Sequence, residues 1–162
     1  MEIVKARRED LPAILEIYAY ARLFMKATGN PNQWQDSHPA RETLESDIEA
    51  GNLYLCLNQQ QIAGVFAFII GPDPTYDIID DGAWHSDKPY GTVHRLASGG
   101  QFRGIGRACF DYCKARVTNL RVDTHHDNKV MQSVIAQNGF SRCGIIYQPD
   151  GSPRIAYDWQ AE

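Results

Sequence analysis

Residues 93–113 read "VHRLASGGQFRGIGRACFDYC", an alternating apolar and polar run that gives way to clustered glycines and then, without a break, to a helix-like pattern. A strand that stops at Ser98, a loop "GGQFRGIG" and a helix starting near Gly104 would present several backbone N–H groups at a helix N-terminus. The first turn there lacks internal acceptors and the helix dipole favours an anion. Gly104 and Gly106 carry no side chain, so the oxygens of a diphosphate can approach the amides closely, and Arg103 and Arg107 add positive charge at the rim. The same residues also suit a plain strand-to-helix turn with a capping glycine. The spacing is not GxGxxG, no early β-α-β unit precedes it, and the missing GK[ST] excludes a Walker loop.

On the strand "GTVHRLAS", regular alternation sets His94 and Leu96 on one side and Val93, Arg95 and Ala97 on the other. Histidine titrates near neutrality, which suits His94 to act as a base directly or through water; a hydrogen-bonded histidine without a catalytic part is the alternative. The segment "THHDN" holds metal-ligating residue types. Adjacent histidines at a strand-to-helix junction are expected to point apart, however, and Asp127 is well placed to cap a helix beside Asn128, so no metal is expected. His125, at the end of its strand, can still face a substrate. Arg154 and Asp158, both in the last strand, can orient an acceptor or merely pair with residues of neighbouring strands, and the second is favoured.

These residues need a scaffold, and the apolar periodicity supplies one. After a strand "EIVKA", the segment "EDLPAILEIYAYARLFMKATG" sets Leu11, Ile14, Leu15, Tyr18 and Ala21 on one helical face, with Pro12 in the first turn and Gly29 past the end. "ARETLESDIEAG" is a second helix closed by Gly51, and "NLYLCLN" and "QIAGVFAFII" form a hairpin around the polar turn "NQQQ". Residues 71–90, rich in proline and acids, read as an irregular surface excursion that shapes a pocket. Past the strand at residues 91–98 come the helix "GIGRACFDYCKARVT" with Ile105, Cys109, Tyr112 and Cys113 inward, the strand "NLRVDT", the helix "DNKVMQSVIAQNG", and the strands "FSRCGIIYQ" and "RIAYDWQ" around the turn "PDGSP". The order β-α-α-β-β-β-α-β-α-β-β predicts an α/β (α+β) sandwich with helices covering a central mixed sheet.

The whole-chain properties narrow the class. A length of 162 residues, 43% hydrophobic and 22% charged, fits one globular domain spanning 1–162. No apolar run approaches a membrane span and the N-terminus is too charged for a signal peptide, so a cytoplasmic protein is expected, with no membrane partner. Cys56, Cys109, Cys113 and Cys143 form no close CxxC pair, which favours small buried thiols over a disulfide or zinc framework. A net charge of −4 argues against nucleic acid as a partner and mildly favours cationic substrates.

The stretch Gln101-Phe102-Arg103-Gly104-Ile105-Gly106 resembles the Q/R-x-x-G-x-G/A acyl-CoA signature of the GNAT acetyltransferase superfamily. Downstream, "DTHHDNKVMQSVIAQNGF" is similar to a second signature of that family, in which an Asn opens a helix and a Gly-Phe pair follows it: Asn128, Gly139 and Phe140 here. The element order resembles that fold over nearly the whole chain, and the segments "HRLAS", "RVDTHHDN" and "DGSPRIAY" resemble a bacterial subgroup of it. The resemblance implies a mostly antiparallel sheet whose fourth and fifth strands splay apart. The pantetheine arm of the cosubstrate acetyl-CoA would pair with the fourth strand along Leu96, Ala97 and Ser98, and its diphosphate would sit on the loop from Gln101 to Arg107. It further implies acetyl transfer to a small-molecule or peptide amine, with His94 as base and backbone amides around Leu96 and Ala97 holding the oxyanion.

One departure from the family pattern concerns the leaving thiolate. Many of its members carry a tyrosine four residues before the Gly of the Gly-Phe pair to protonate it, and Ile135 stands there. Tyr147, Tyr112 and Cys143 are the candidate replacements, with Tyr112 on the apolar stripe of its helix. Trp34, in "NPNQWQD", falls where such folds line the acceptor pocket, and equally suits an anchor packed on the core. A homodimer through the C-terminal strands is common in proteins of this kind. A non-catalytic acyl-CoA binding or sensing module is the rival function.

Overall fold

A computed structural model describes residues 1–162. The elements are β1 (Glu2–Lys5), a 3-10 turn (Arg8–Asp10), α1 (Leu11–Ala27), α2 (Arg41–Glu49), β2 (Leu53–Asn58), β3 (Gln61–Ile70), β4 (Gly91–Ser98), α3 (Ile105–Lys114), β5 (Asn119–Thr124), α4 (Lys129–Gln137), β6 (Ser141–Tyr147) and β7 (Pro153–Gln160). This is the predicted α/β order. The strands form one sheet, β1-β2-β3-β4-β5-β7-β6, in which β4 and β5 are the parallel pair and every other neighbour is antiparallel.

Both faces of the central strands are apolar because both are covered. Leu53 and Leu55 of β2 with Val65 and Ala67 of β3 pack under Ile14 and Tyr18 of α1 and Leu44 of α2. The alternate residues Tyr54, Cys56, Phe66 and Phe68 face Cys109, Phe110 and Cys113 of α3 and Ile135 of α4. Each fully buried Leu or Phe contributes roughly 1.5–3 kcal/mol of transfer free energy. Two predicted helix faces shift slightly: Ile17 is buried where Leu15 was expected, and Phe110 takes the place of Tyr112, which is half-buried with its ring tilted against Tyr54 at 5.3 Å. Cys56, Cys109, Cys113 and Cys143 are free and buried.

Strict alternation fails in β4. Ala67 opposes His94 and Val65 opposes Ala97, so Arg95 and Leu96 both stand against Phe66, and Arg95 adopts φ 54°. The extra residue is a β-bulge. It reverses the facing of all that follows: Val93 packs with α3 and Ala97 with α1 and α2, where alternation had set them together.

The excursion at 71–90 is irregular, as expected, but it also brings a small core of its own. A short 3-10 turn, Pro74–Tyr76, buries the Tyr76 ring with Cys143, Ile146 and Ala156, and Trp84 and Tyr90 close over it. Trp84 and Tyr90 also sandwich the Arg121 guanidinium at 4.0 and 3.9 Å. Asp80 exchanges two backbone hydrogen bonds of 2.8 Å with Ile145, so the excursion covers the outer edge of β6 that strand pairing with a second copy would use. Gly82 makes this docking possible: with φ +151°, a Cβ there would lie 1.8 Å from the Cys143 carbonyl oxygen. Gly82→Ala is expected to lower stability by on the order of 3 kcal/mol, read as a drop in the urea midpoint.

Candidate active site

β4 and β5 pair only at Gly91–Leu120 and Thr92–Arg121, then diverge. From Val93 onward β4 has no strand on its β5 side, and the gap opens into a cavity of about 830 Å³. Its walls are the free stretch of β4, the inner side of β5, the first turns of α3 and α4, and the segment between α1 and α2. No helix of the molecule is long and apolar enough to cross a membrane.

The cavity gathers His94, Leu96, Ala97, Ser98, Ile105, Gly106, Asn128 and Trp34 from the residues singled out in the sequence. His94 is half-buried, and its Nε2 lies 2.8 Å from Asp73 Oδ2. Asp73 in turn accepts from the Thr75 backbone N–H and hydroxyl at 2.9 and 2.8 Å, while its own N–H donates to the Tyr90 hydroxyl. The hydrogen bond from His94, then those from Thr75, pull the Asp73 carboxyl down to about 2 against the cost of its burial. A charged Asp73 accepts the Nε2–H and leaves His94 Nδ1 open to take a proton.

Beside this pair the buried Tyr76 hydroxyl donates to Asp123 Oδ2 at 2.6 Å, and its ring centroid lies 6.3 Å from that of His94. Burial raises the Asp123 carboxyl above its usual range. Arg95, turned by the bulge, donates to Asp47 at 2.7 Å, and its carbonyl accepts from the Tyr18 hydroxyl at 2.7 Å. Trp34 both anchors its segment and lines the cavity: it is buried edge-on against Tyr18 at 5.6 Å. His38, also in the wall, is pushed down to about 4 by burial and then by Arg95, so it is neutral at pH 7.

Other predicted residues fall elsewhere. Gln101, Phe102, Arg103, Gly104 and Arg107 do not line the cavity; Arg103, Gly104 and Arg107 border a shallow groove on the other side of the loop, and Arg107 pairs with Asp111 at 3.6 Å. Gly104 is the residue before α3, with φ +85° and open space where a Cβ would stand. Gly106 has a packing reason as well: a Cβ there would meet Val134 Cγ1 at 2.5 Å, so it lets α3 and α4 approach closely. Tyr147 is exposed on β6 outside the cavity, Tyr112 packs on Tyr54, and Ile135 is fully buried.

The "THHDN" segment differs from expectation in two respects. The rings of His125 and His126 stack at 4.2 Å instead of pointing apart. Asn128 rather than Asp127 caps α4, its side chain accepting from Met131 N–H at 3.0 Å and donating to Gln33 Oε1 at 2.9 Å. His125 lies buried outside the cavity, where its Nδ1 accepts the Asp127 N–H at 3.0 Å, and burial lowers its affinity for a proton. Nor does Arg154 or Asp158 form an ion pair with a residue of a neighbouring strand. Asp158 binds the His85 backbone N–H and ring Nδ1, both at 2.7 Å, and Cys143 Sγ sits 3.4 Å from that same nitrogen. Burial pushes the Cys143 thiol up to about 12, so it stays protonated and is no nucleophile.

Asp73, Tyr76 and Asp123 were missed in the sequence. "DPT" is an Asx-turn signal for Asp73, but its meeting with His94 depends on how the excursion folds back over β4.

Searches against protein-family models and against curated proteins gave no match. Solved structures do match. An acetyltransferase of the GNAT family from Streptococcus agalactiae 2603 is 31% identical, with 99% of this chain and 95% of that chain covered and a TM-score of 0.89. A GNAT family acetyltransferase from Listeria monocytogenes 4b F2365 shares the fold at 19% identity, 99% and 94% coverage and a TM-score of 0.72. The protein yncA from Salmonella typhimurium, solved with its cofactor acetyl-CoA, shares it at 15% identity, 99% and 94% coverage and a TM-score of 0.63. By its likeness to the streptococcal enzyme over the full length of both chains, this protein belongs to the GNAT family of acetyltransferases.

Proposed function

We propose that the protein is an N-acetyltransferase of the bacterial GNAT subgroup with "HRLAS", "RVDTHHDN" and "DGSPRIAY" segments, taking acetyl-CoA as cosubstrate and a small-molecule or peptide amine as acceptor. The observation that carries this reading is the His94–Asp73 pair facing the gap between β4 and β5. Direct attack of an amine on a thioester needs no protein nucleophile; it needs a base, donors for the oxyanion and a proton for the departing thiolate.

His94 Nδ1 takes the amine proton, directly or through one water, while charged Asp73 stabilises the imidazolium that forms. β4 past Thr92, without a partner on the β5 side, supplies main-chain groups to the pantetheine amides and, around Leu96 and Ala97, to the oxyanion. The open N-terminus of α3 at Gly104, with Arg103 and Arg107 exposed beside it, suits a diphosphate. Neither Tyr147 nor Tyr112 is positioned to protonate the thiolate. A thiol with a reference pKa of about 8.5 can instead take its proton from water at modest cost in rate.

Calorimetric titration with acetyl-CoA, run beside ATP and NADH, followed by a thiol-release assay with an amine panel, tests the reading. Binding of acetyl-CoA alone and amine-dependent release of thiol are expected. Binding without turnover of any amine would make the protein a sensor, and no binding would remove both functions.

A further inference from the structure

Resting on that reading, the cavity names a class of acceptor. Two guanidinium groups line it, and they differ in what holds them. Arg95 is neutralised by Asp47 at 2.7 Å. Arg154 is buried and forms no ion pair: its Nη1 donates to Ser152 Oγ at 3.2 Å and to the Pro153 carbonyl at 2.9 Å, and its Nη2 donates to the Gln33 carbonyl at 3.4 Å. These neutral acceptors fix the plane of the guanidinium yet leave Nε–H and one Nη2–H without a partner. Nε is not sealed off in the protein interior, and Arg154 is one of the residues that line the cavity.

The nearby carboxyls do not fill that role. Asp150 is turned onto the Ser152 N–H and hydroxyl at 2.9 and 2.7 Å, and Asp123 onto the Tyr76 hydroxyl. A buried guanidinium with two open donors is a fork for a planar anion, and a carboxylate matches it with two parallel bonds. Asp73 with His94 lines the same cavity, as does Asp123, which feels the positive field of both His94 and Arg154. The one cavity is therefore lined both by a base with carboxylates, which suit an amine, and by a guanidinium, which suits an anion.

We infer that the acceptor is a free amino acid or a similar small zwitterion, its carboxylate held by Arg154 and its amine delivered to His94 and Asp73. The reaction balances simply: the ammonium gives one proton toward solvent, the neutral nitrogen bonds to the acetyl carbon, the second proton passes to His94, and the C–S bond breaks to release the thiolate.

The test compares thiol release from acetyl-CoA with L-amino acids against their carboxamides, which keep the amine and side chain and lose only the charge. In the wild-type protein kcat/KM is expected to favour the acids by about 10- to 100-fold, the scale of a charged hydrogen-bonded contact. Arg154→Met should erase that ratio, and Arg154→Lys, which keeps the charge without the fork, should retain part of it. Since Arg154 is buried, both variants are checked by thermal melting, and the acid-to-amide ratio of the wild type stands without them. Amides turned over as well as acids, or an unchanged ratio in Arg154→Met, would overturn this inference and leave the transferase standing. Binding of acetyl-CoA with no turnover of any acid or amide would remove the transferase reading and this one together.

Discussion

His94→Ala is expected to lower acetyl transfer by about 10²- to 10³-fold, the usual contribution of a positioned general base, while acetyl-CoA binds as before. The expectation follows from three facts. His94 faces the gap, its Nε2 is engaged by Asp73, and Nδ1 is left as the proton acceptor. Asp73 acts on the reaction through His94, as a positioning residue. Asp73→Asn keeps an oxygen for the Nε2–H but removes the charge that stabilises the imidazolium, so a smaller fall of about 10-fold is expected. That loss should appear in kcat with KM for the amine unchanged, a split that general loosening of the excursion would not produce. Steady-state kinetics on the two variants, with calorimetric Kd for acetyl-CoA, measure both effects. Equal turnover in His94→Ala would remove the histidine from the mechanism.

The second large effect is expected at Gly104. The first carbon of a Glu side chain introduced there meets no obstacle, since no atom lies within 4 Å of where it would stand, but the substitution adds a carboxylate at the helix N-terminus that should receive the diphosphate. Acetyl-CoA affinity should fall by about 100-fold or more through charge repulsion across the short distance at which phosphate would sit. Backbone strain needs a separate control, because any side chain at φ +85° costs about 1 kcal/mol or somewhat more. Gly104→Ala pays the same strain without the charge. If Ala weakens acetyl-CoA as much as Glu, the loop matters for its shape alone and the diphosphate assignment to it falls.

Much of the fold was legible because it follows from apolar spacing. Residues 61–70 announce a strand covered on both faces, the stripe Leu11, Ile14, Tyr18 and Ala21 announces the helix above one face, and the order of elements then leaves few arrangements. The bulge at Arg95 was not legible. A strand's own sequence gives its alternation, whereas a two-against-one pairing with Phe66 exists only once β3 and β4 are in register. Gly106 illustrates a related difficulty: a glycine at a helix start reads as room for phosphate, and only the position of Val134 shows that it also makes room for α4. The candidate site divides along the same line. His94 and Asn128 were found because they sit on or beside regular elements, and Trp34 because the family resemblance points to its loop, while Asp73 and Asp123 become partners of His94 and Tyr76 through contacts spanning 21 and 47 residues. Arg154 was visible in the sequence, but its want of an acidic partner was not, since that required knowing that Asp123 turns onto Tyr76 and Asp150 onto Ser152.

The sealed thiols give this protein a chemical clock. Cys56, Cys109 and Cys113 lie in the core beneath α3, and Cys143 lies under the excursion. A water-soluble thiol reagent reaches each group only when its surroundings open, so labelling rates in native buffer translate into local opening free energies. Cys143 reports release of residues 71–90, the segment that carries Asp73 to His94, and the other three report the breathing of the central sheet. The same seclusion keeps the protein silent in any colorimetric count of coenzyme A, so the signal belongs to turnover for as long as the fold holds.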